Sequence, residues 1–325
     1  MSEPMLIRDV VIGPGESHTV RLPIARLPIG ALIDIPVYVF RGKTPGPTLL
    51  LQGGLHGDEL NGVEILRRML RRRMVRPKRG AVIVVPLLNV YGFLHMSRET
   101  PDGRDVNRMF PGSKKGSLAG RMVYEYMEHV FSHVDCAIDF HTGGKSRANH
   151  PQIRYSAELP ESRAMAEAFR APFAFATKLI PRSLRQTAYR RRVPVIVYEA
   201  GESLRFDERC VEHGIAGAQR VMAHLGIMGG RGLPESPPSI HLGAVEWIRA
   251  RRGGLFRAAV ENGERVVAEQ PVGYLADPFG QYNRPIKATA DGWVISVNNM
   301  PVVNVGDPLV RLGFEGAGDA PVDDG

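Results

Sequence analysis

From Thr48 onward the chain alternates two hydrophobic patterns. Four continuous apolar runs, TLLLQGG, AVIVVPLLN, VDCAIDFH and VPVIVYE, are separated by stretches near 61–73, 117–131, 161–170 and 207–224 with helix-like patterning. Runs without alternation read as strands buried on both faces, and the amphipathic stretches as the helices that cover them. The pattern predicts an α/β fold, a mostly parallel mixed sheet flanked by helices. Before it, residues 1–46 alternate short apolar stretches with Gly and Pro (VVIGPGE, RGKTPGP), a β-rich lead-in to a domain spanning 1–230.

The character changes at MGGRGLPESPPS, residues 228–239, which lacks apolar periodicity, and a linker is placed at 231–239. Residues 240–314 then offer short strands (GLFRAAV, RPIKATA, GWVISVN) broken by the turn signals Asn262-Gly263, Asp291-Gly292 and Gly306-Asp307, predicting a small all-β domain. The acidic, Gly-rich tail, 315–325, is expected to be disordered.

The chemistry sits where the apolar runs stop: at His56 just past the first, Asn89 after the second, His141 after the third and Glu199 in the fourth. Open α/β sheets bind ligands beyond the carboxyl ends of their strands, so these residues are expected to converge on one crevice. In GGLHGDELNG, residues 53–62, His56 and Glu59 are three apart and share a face if Gly57 opens a helical turn. His141 in DFHTGG completes a two-His-one-carboxylate set, the donors of catalytic zinc with a fourth position left for water. Asp139, two residues back on the same strand face, either orients His141 or serves as a cap or surface ion pair.

The turn-rich stretch SRETPDGRDVNRMFPG, residues 97–112, carries Arg98, Arg104, Asn107 and Arg108. Guanidinium forks match carboxylates, so such a loop near a metal suggests an anionic substrate. Glu199 is a carboxylate on an apolar strand, where burial would suit a general base; Glu202, beyond Gly201, is its competitor.

Composition narrows the classes. No segment approaches the roughly 18–20 apolar residues that span a bilayer, and the N-terminus lacks the basic and apolar regions of a signal peptide, so a cytoplasmic protein is expected, with no membrane partner. With 2 cysteines there is no disulfide framework and no Cys-rich zinc site, and Cys136 in VDCAIDF reads as a small buried thiol. The net charge of +8 is concentrated in RRMLRRRMVRPKR, residues 67–79. Ile65, Leu66, Met69 and Leu70 form an apolar stripe through this run, and no aromatics interleave with its charges. A solvated helix face is therefore preferred over a nucleic-acid surface, and no nucleic-acid partner is expected.

Four ordered motifs, GGLHGDELNG, SRETPDGRDVNRMFPG, DFHTGG and VIVYEAGE, together resemble the succinylglutamate desuccinylase and aspartoacylase family, itself related to zinc carboxypeptidases. The resemblance covers about residues 48–202 and extends to the β-rich C-terminal part. It implies one zinc ion on His56, Glu59 and His141, Glu199 as base and proton shuttle, and Asn107 with Arg108 gripping a substrate carboxylate. Arg98 would polarise the scissile carbonyl, with Arg104 as the alternative. Tyr282 is a candidate for a tyrosine that related enzymes draw from the C-terminal part. The β domain resembles biotinyl and lipoyl barrel-sandwiches without their modified-lysine turn, since Lys287 lies on a predicted strand, so no attached cofactor is expected.

The expected activity is zinc-dependent hydrolysis of a linear amide in a small anionic N-acyl amino acid, with Glu199 accepting the proton of the attacking water. A carboxypeptidase acting on peptides and a non-catalytic basic binding protein are the rival readings. Arg182, Arg185 and Arg190 to Arg192 either read a second carboxylate or are solvated. The sequence is compatible with a homo-oligomer.

Overall fold

The computed structural model describes residues 4–26, 29–316 and 320–322. The four apolar runs form strands Thr44–Gln52, Arg79–Val85, Cys136–Gly143 and Val195–Glu202. These lie side by side and parallel within a 12-stranded sheet. Alternate side chains serve opposite faces. Leu49, Leu51, Ile138 and Tyr198 pack under helices Leu60–Arg71, Pro160–Phe169 and Glu208–His224. Leu50, Ile83, Ala137 and Val195 pack with helices Leu118–His129 and Leu184–Arg190 on the other side.

Outside this centre the sheet is mixed, which corrects the expectation that it is mostly parallel. Strands Leu32–Arg41 and Ser17–Arg26 extend one side antiparallel, and Arg147–Tyr155 lies antiparallel against Val195–Glu202 on the other. Continuous apolar runs mark only strands covered on both faces, whereas the antiparallel flanks alternate buried and exposed residues.

Two internal strands lie outside the four runs, RANHPQIRY (147–155) and the short, wholly buried FAFA (173–176). The first is polar and contains Pro151, which fits a central strand because the register shifts there: Glu199 pairs with Gln152 but Gly201 with Asn149. Its far edge is shared. Phe173–Ala176 takes the C-terminal half, and Gly292–Asn298 takes the N-terminal half through Arg147, Ala148 and Asn149. Strands Ile240–Arg249 and Pro308–Glu315 complete the circuit, closing a small barrel around Phe173, Phe175, Leu242 and Ile295. A second sheet, built from Gly254–Ala258, Pro271–Ala276, Asn283–Lys287 and Val302–Val303, belongs to a core that includes Ile248, Phe256, Leu275, Val294 and Leu309. The 231–239 stretch contains no helix or strand.

The basic run is partly neutralised within the chain: Arg67 and Arg68 bond Glu64, and Arg68 and Arg72 reach Glu208 or Glu212 of the neighbouring helix. Cys136 is buried, and burial beside Asp135 pushes its thiol up to about 12. In the tail, for which disorder was expected, Val322 forms a bridge with Thr177; 317–319 and 323–325 lie outside the described residues. Among the described residues no helix is long and apolar enough to cross a membrane.

Candidate metal centre and active site

His56 and Glu59 occupy a turn rather than a helix, because the helix starts only at Leu60. Gly54 turns the chain at φ +57, and Gly57 passes so close to the next loop that a Cβ there would lie 1.9 Å from Gly92 C. The turn is closed by Glu59 N donating to His56 O at 3.3 Å. The parallel pairing places His141 in register with Glu199, and Asp139 in register with Gln52.

His56, Glu59 and His141 are all buried, and their ligand atoms lie within 4.8 Å of one another, a group that could hold a metal ion. Glu59 bridges the two imidazoles, with Oε1 at 2.7 Å from His56 Nδ1 and Oε2 at 2.8 Å from His141 Nδ1. Each imidazole's outer nitrogen meets an aspartate. His141 Nε2 lies 2.8 Å from Asp139 Oδ2, and His56 Nε2 lies 3.2 Å from Asp105 Oδ1. Asp139 therefore orients His141 rather than capping a helix, and it is itself held by Gln52 Nε2 at 3.0 Å. Tyr126 donates its hydroxyl to Gln52 Oε1.

Arg98 adjoins this cluster. Its Nη2 donates to Asp105 Oδ2 at 3.0 Å and its Nη1 to Glu59 Oε1 at 3.2 Å. Asn89, which ends the second apolar run, does not line the cavity; its amide holds the Arg98 carbonyl at 3.2 Å and so fixes the loop. Electrostatically the cluster favours positive charge. Burial opposes protonation of His56 and His141, but the flanking carboxylates outweigh it and raise both. Burial likewise works to raise Glu59 and Asp105, yet the imidazoles, joined at Asp105 by Arg98, hold both well below the usual carboxylate range.

The cluster opens into a cavity of about 530 Å³. Glu199 lines it, 8% exposed, with Asn149 Nδ2 donating to Oε2 at 2.9 Å and Arg154 Nη1 at 3.2 Å from Oε1. Asn107 and Arg108 also line it, on a short turn begun by Asp105, whose Oδ1 accepts from Asn107 N at 2.8 Å. Asn107 Oδ1 accepts from Leu184 N, tying this turn to the 184–190 helix.

Other expected residues lie elsewhere. Arg104 is exposed beside Asp102 and does not line the cavity, so of the two arginines weighed for the carbonyl the structure brings only Arg98 to it. The turn Thr100–Arg104 directs it outward. Glu202 bonds Asn299, and the Tyr282 hydroxyl donates to Gly253 O. Of Arg182, Arg185 and Arg190 to Arg192, only Arg185 lines the cavity.

Sequence reasoning missed Asp105, Asn149 and Arg154, and also Arg147, Trp247 and Arg311, which line the same cavity. Asp105 was legible in principle, since GRDVNR places an N-capping residue just before the Asn-Arg pair. The others depend on strand pairing across long sequence separations.

A family model for the succinylglutamate desuccinylase/aspartoacylase catalytic domain matches residues 45–225. The N-alpha-acetyl-L-2,4-diaminobutyric acid deacetylase of Halomonas elongata is 30% identical over 86% of this chain and 85% of its own. A succinylglutamate desuccinylase/aspartoacylase structure from Rhodobacter sphaeroides superposes with a TM-score of 0.81 at 26% identity, covering 93% of this chain and 96% of that one. The product-bound ectoine utilization protein EutE of Ruegeria pomeroyi shares the fold, with a TM-score of 0.81 at 23% identity over 96% and 98% of the two chains. Because the matched segment spans more than half the sequence and carries both histidines, Glu59 and Glu199, the chain belongs to the succinylglutamate desuccinylase/aspartoacylase family.

Proposed function

We propose that the chain hydrolyses the amide bond of a small N-acyl amino acid, with one zinc ion held by His56, Glu59 and His141. The observation that carries this reading is the buried convergence of two imidazoles and one carboxylate at the head of a cavity, in a chain 30% identical to a named N-acetyl amino acid deacetylase. The donor set suits zinc, and a cluster that draws protons onto two buried histidines draws a dication by the same field. When bound there, zinc supplies Lewis acidity, making a water acidic enough to ionise near neutral pH and polarising a carbonyl.

The remaining steps fall to the chain's own residues. Glu199, one strand over from His141 and in register with it, accepts the proton of the attacking water at its carboxylate and returns it to the departing amide nitrogen. Asn149 and Arg154 keep that carboxylate oriented. Arg98 donates to the carbonyl oxygen as negative charge develops. Asn107 and Arg108 hold a substrate carboxylate. Asp105 and Asp139 fix the two imidazoles so that both Nδ1 atoms face Glu59. A cavity of about 530 Å³ with Trp247 and Arg311 in its wall supports a small substrate over a polypeptide.

The test is metal content by mass spectrometry, together with hydrolysis of N-acetyl and N-succinyl amino acids before and after chelation. About one zinc per chain and chelator-sensitive activity are expected. Protein that takes up no added zinc and cleaves none of the panel overturns the reading.

A further inference from the structure

Three polar side chains stand inside the apolar core beside the metal cluster. Gln52 and Tyr126 are fully buried and Asp139 is 1% exposed. Gln52 ends the strand Thr44–Gln52 and stands in register with Asp139 on Cys136–Gly143, while Tyr126 comes from the helix Leu118–His129 that covers this face of the sheet. A leucine at 52 and a phenylalanine at 126 would fill similar space with no polar atoms to satisfy, an exchange that can be nearly neutral in a core.

The hydrogen bonds among them run in one direction. An amide oxygen only accepts, so Tyr126 donates its hydroxyl to Gln52 Oε1, and the amide is thereby turned with Nε2 toward Asp139, donating to Oδ1 at 3.0 Å. Burial, with Asp139 nearby, pushes the Tyr126 hydroxyl well above its ordinary range, so it stays a donor. A carboxylate likewise only accepts, and Asp139 Oδ2, 2.8 Å from His141 Nε2, receives the N–H of that ring. The opposite ring nitrogen, Nδ1, faces Glu59 Oε2 at 2.8 Å, inside the group that could hold a metal ion. Apolar packing fixes the far end, with the Tyr126 ring 6.3 Å from both Phe110 and Phe131. His56 is held differently: its Nε2 meets Asp105, a half-buried loop residue that also binds Arg98.

We infer that Gln52 and Tyr126 are positioning residues of the metal centre. Acting in series through Asp139, they fix the ring of His141 and keep its N–H on Nε2, which leaves Nδ1 as the donor atom. This rests on the zinc reading and goes beyond it: among the described residues neither Gln52 nor Tyr126 hydrogen-bonds His56, Glu59 or His141, yet zinc affinity depends on both, and in a set order. Tyr126 acts only by holding the Gln52 amide the right way round. Without its hydroxyl the amide is free to turn and set its oxygen against Asp139, acceptor facing acceptor.

The experiment measures zinc affinity of the full chain by competition with a chromophoric chelator, for the wild type, Gln52→Met, Tyr126→Phe and the double variant. Methionine keeps the length of Gln52 and removes its amide. Gln52→Met should weaken zinc binding about ten-fold, and Tyr126→Phe, one bond further from the metal, about three-fold. The double variant should match Gln52→Met alone, because Tyr126 then has no amide left to hold. Losses that multiply, as independent packing defects would give, overturn the relay, and so does unchanged affinity in both single variants. A second readout distinguishes the relay from general loosening and serves if Gln52→Met does not fold. In zinc-loaded protein carrying isotope-labelled histidine, the imidazole N–H of His141 should exchange with water faster in Tyr126→Phe than in the wild type, while that of His56, identified by its shift in Asp105→Asn, is unchanged. Both signals changing together, or neither, overturns the inference. Wild-type protein that binds no zinc overturns the metal reading instead; the relay is then judged on the same N–H of His141 in the metal-free protein, which is protected in the wild type and lost in Tyr126→Phe if the relay holds and equal in the two if it does not.

Discussion

Asp105 links three functions with one carboxylate. It faces His56 through Oδ1, anchors Arg98 through Oδ2, and starts the turn that carries Asn107 and Arg108. Asp105→Asn should therefore weaken zinc affinity about 10–100-fold in a chelator competition titration. Glu199→Gln removes the proposed proton acceptor but none of the proposed metal donors. Its kcat should fall roughly 10²–10⁴-fold while zinc content stays near that of the wild type; loss of the metal as well would make Glu199 a ligand and overturn its assignment. At this scale the sequence is legible where a single residue interrupts a pattern. His56, His141 and Glu199 stand out because each lies at or just beyond an apolar run, and Glu59 because it comes three positions after His56. Arg154 and Asn149 lie in RANHPQIRY, where polar residues are the rule and none stands out.

The strand Arg147–Tyr155 supplies Asn149 and Arg154 to the proposed base and Arg147 to the cavity wall, so its placement sets much of the cavity. Its His150 packs beneath Gly263 and against Phe173, with ring centroids 5.4 Å apart in the latter pair. Burial, reinforced by the nearby Arg209, lowers His150 from 6.5 to about 4. Because the unfolded chain binds this proton more readily, the stability contributed by neutral His150 is present above about pH 6.5 and is lost as the pH falls through about 4. Denaturant titrations at pH 7 and 4 should show a loss to which this site contributes on the order of 2 kcal/mol, and His150→Gln should flatten that part of the slope. The same strand shows why the sheet was read as more parallel than it is. Apolar continuity identifies strands buried on both faces, but a strand whose side chains line a polar cavity must be polar itself. Its identity comes from three pairing partners, not from its own composition.

Across the whole molecule the composition break at 228–239 is legible and coincides with a segment lacking helix or strand, yet the strands beyond it are integrated with the sheet before it. Ile240–Arg249 pairs with Phe173–Ala176, and Gly292–Asn298 pairs with Arg147–Asn149. Removing everything after residue 230 would strip two partners from the sheet and expose Phe173 and Phe175. The fragment 1–230 should elute as aggregate in size-exclusion chromatography and lose near-ultraviolet circular dichroism; a monomeric fragment with native tertiary signal would show that the late strands are dispensable for folding. Linker composition reports where the chain leaves one layer, but not where it returns, because return is decided by edge hydrogen bonds between residues more than a hundred positions apart.

The circuit closed by Gly292–Asn298 also orders events during synthesis. A nascent chain possesses His56, Glu59 and His141 once residue 141 has emerged, and Glu199 some sixty residues later, but Trp247 and Arg311 come much later. Domains fold as units during translation, and contacts of high sequence separation form slowly. The residues of the buried cluster are therefore all synthesised well before the far wall of their cavity, which is complete only when the barrel shuts.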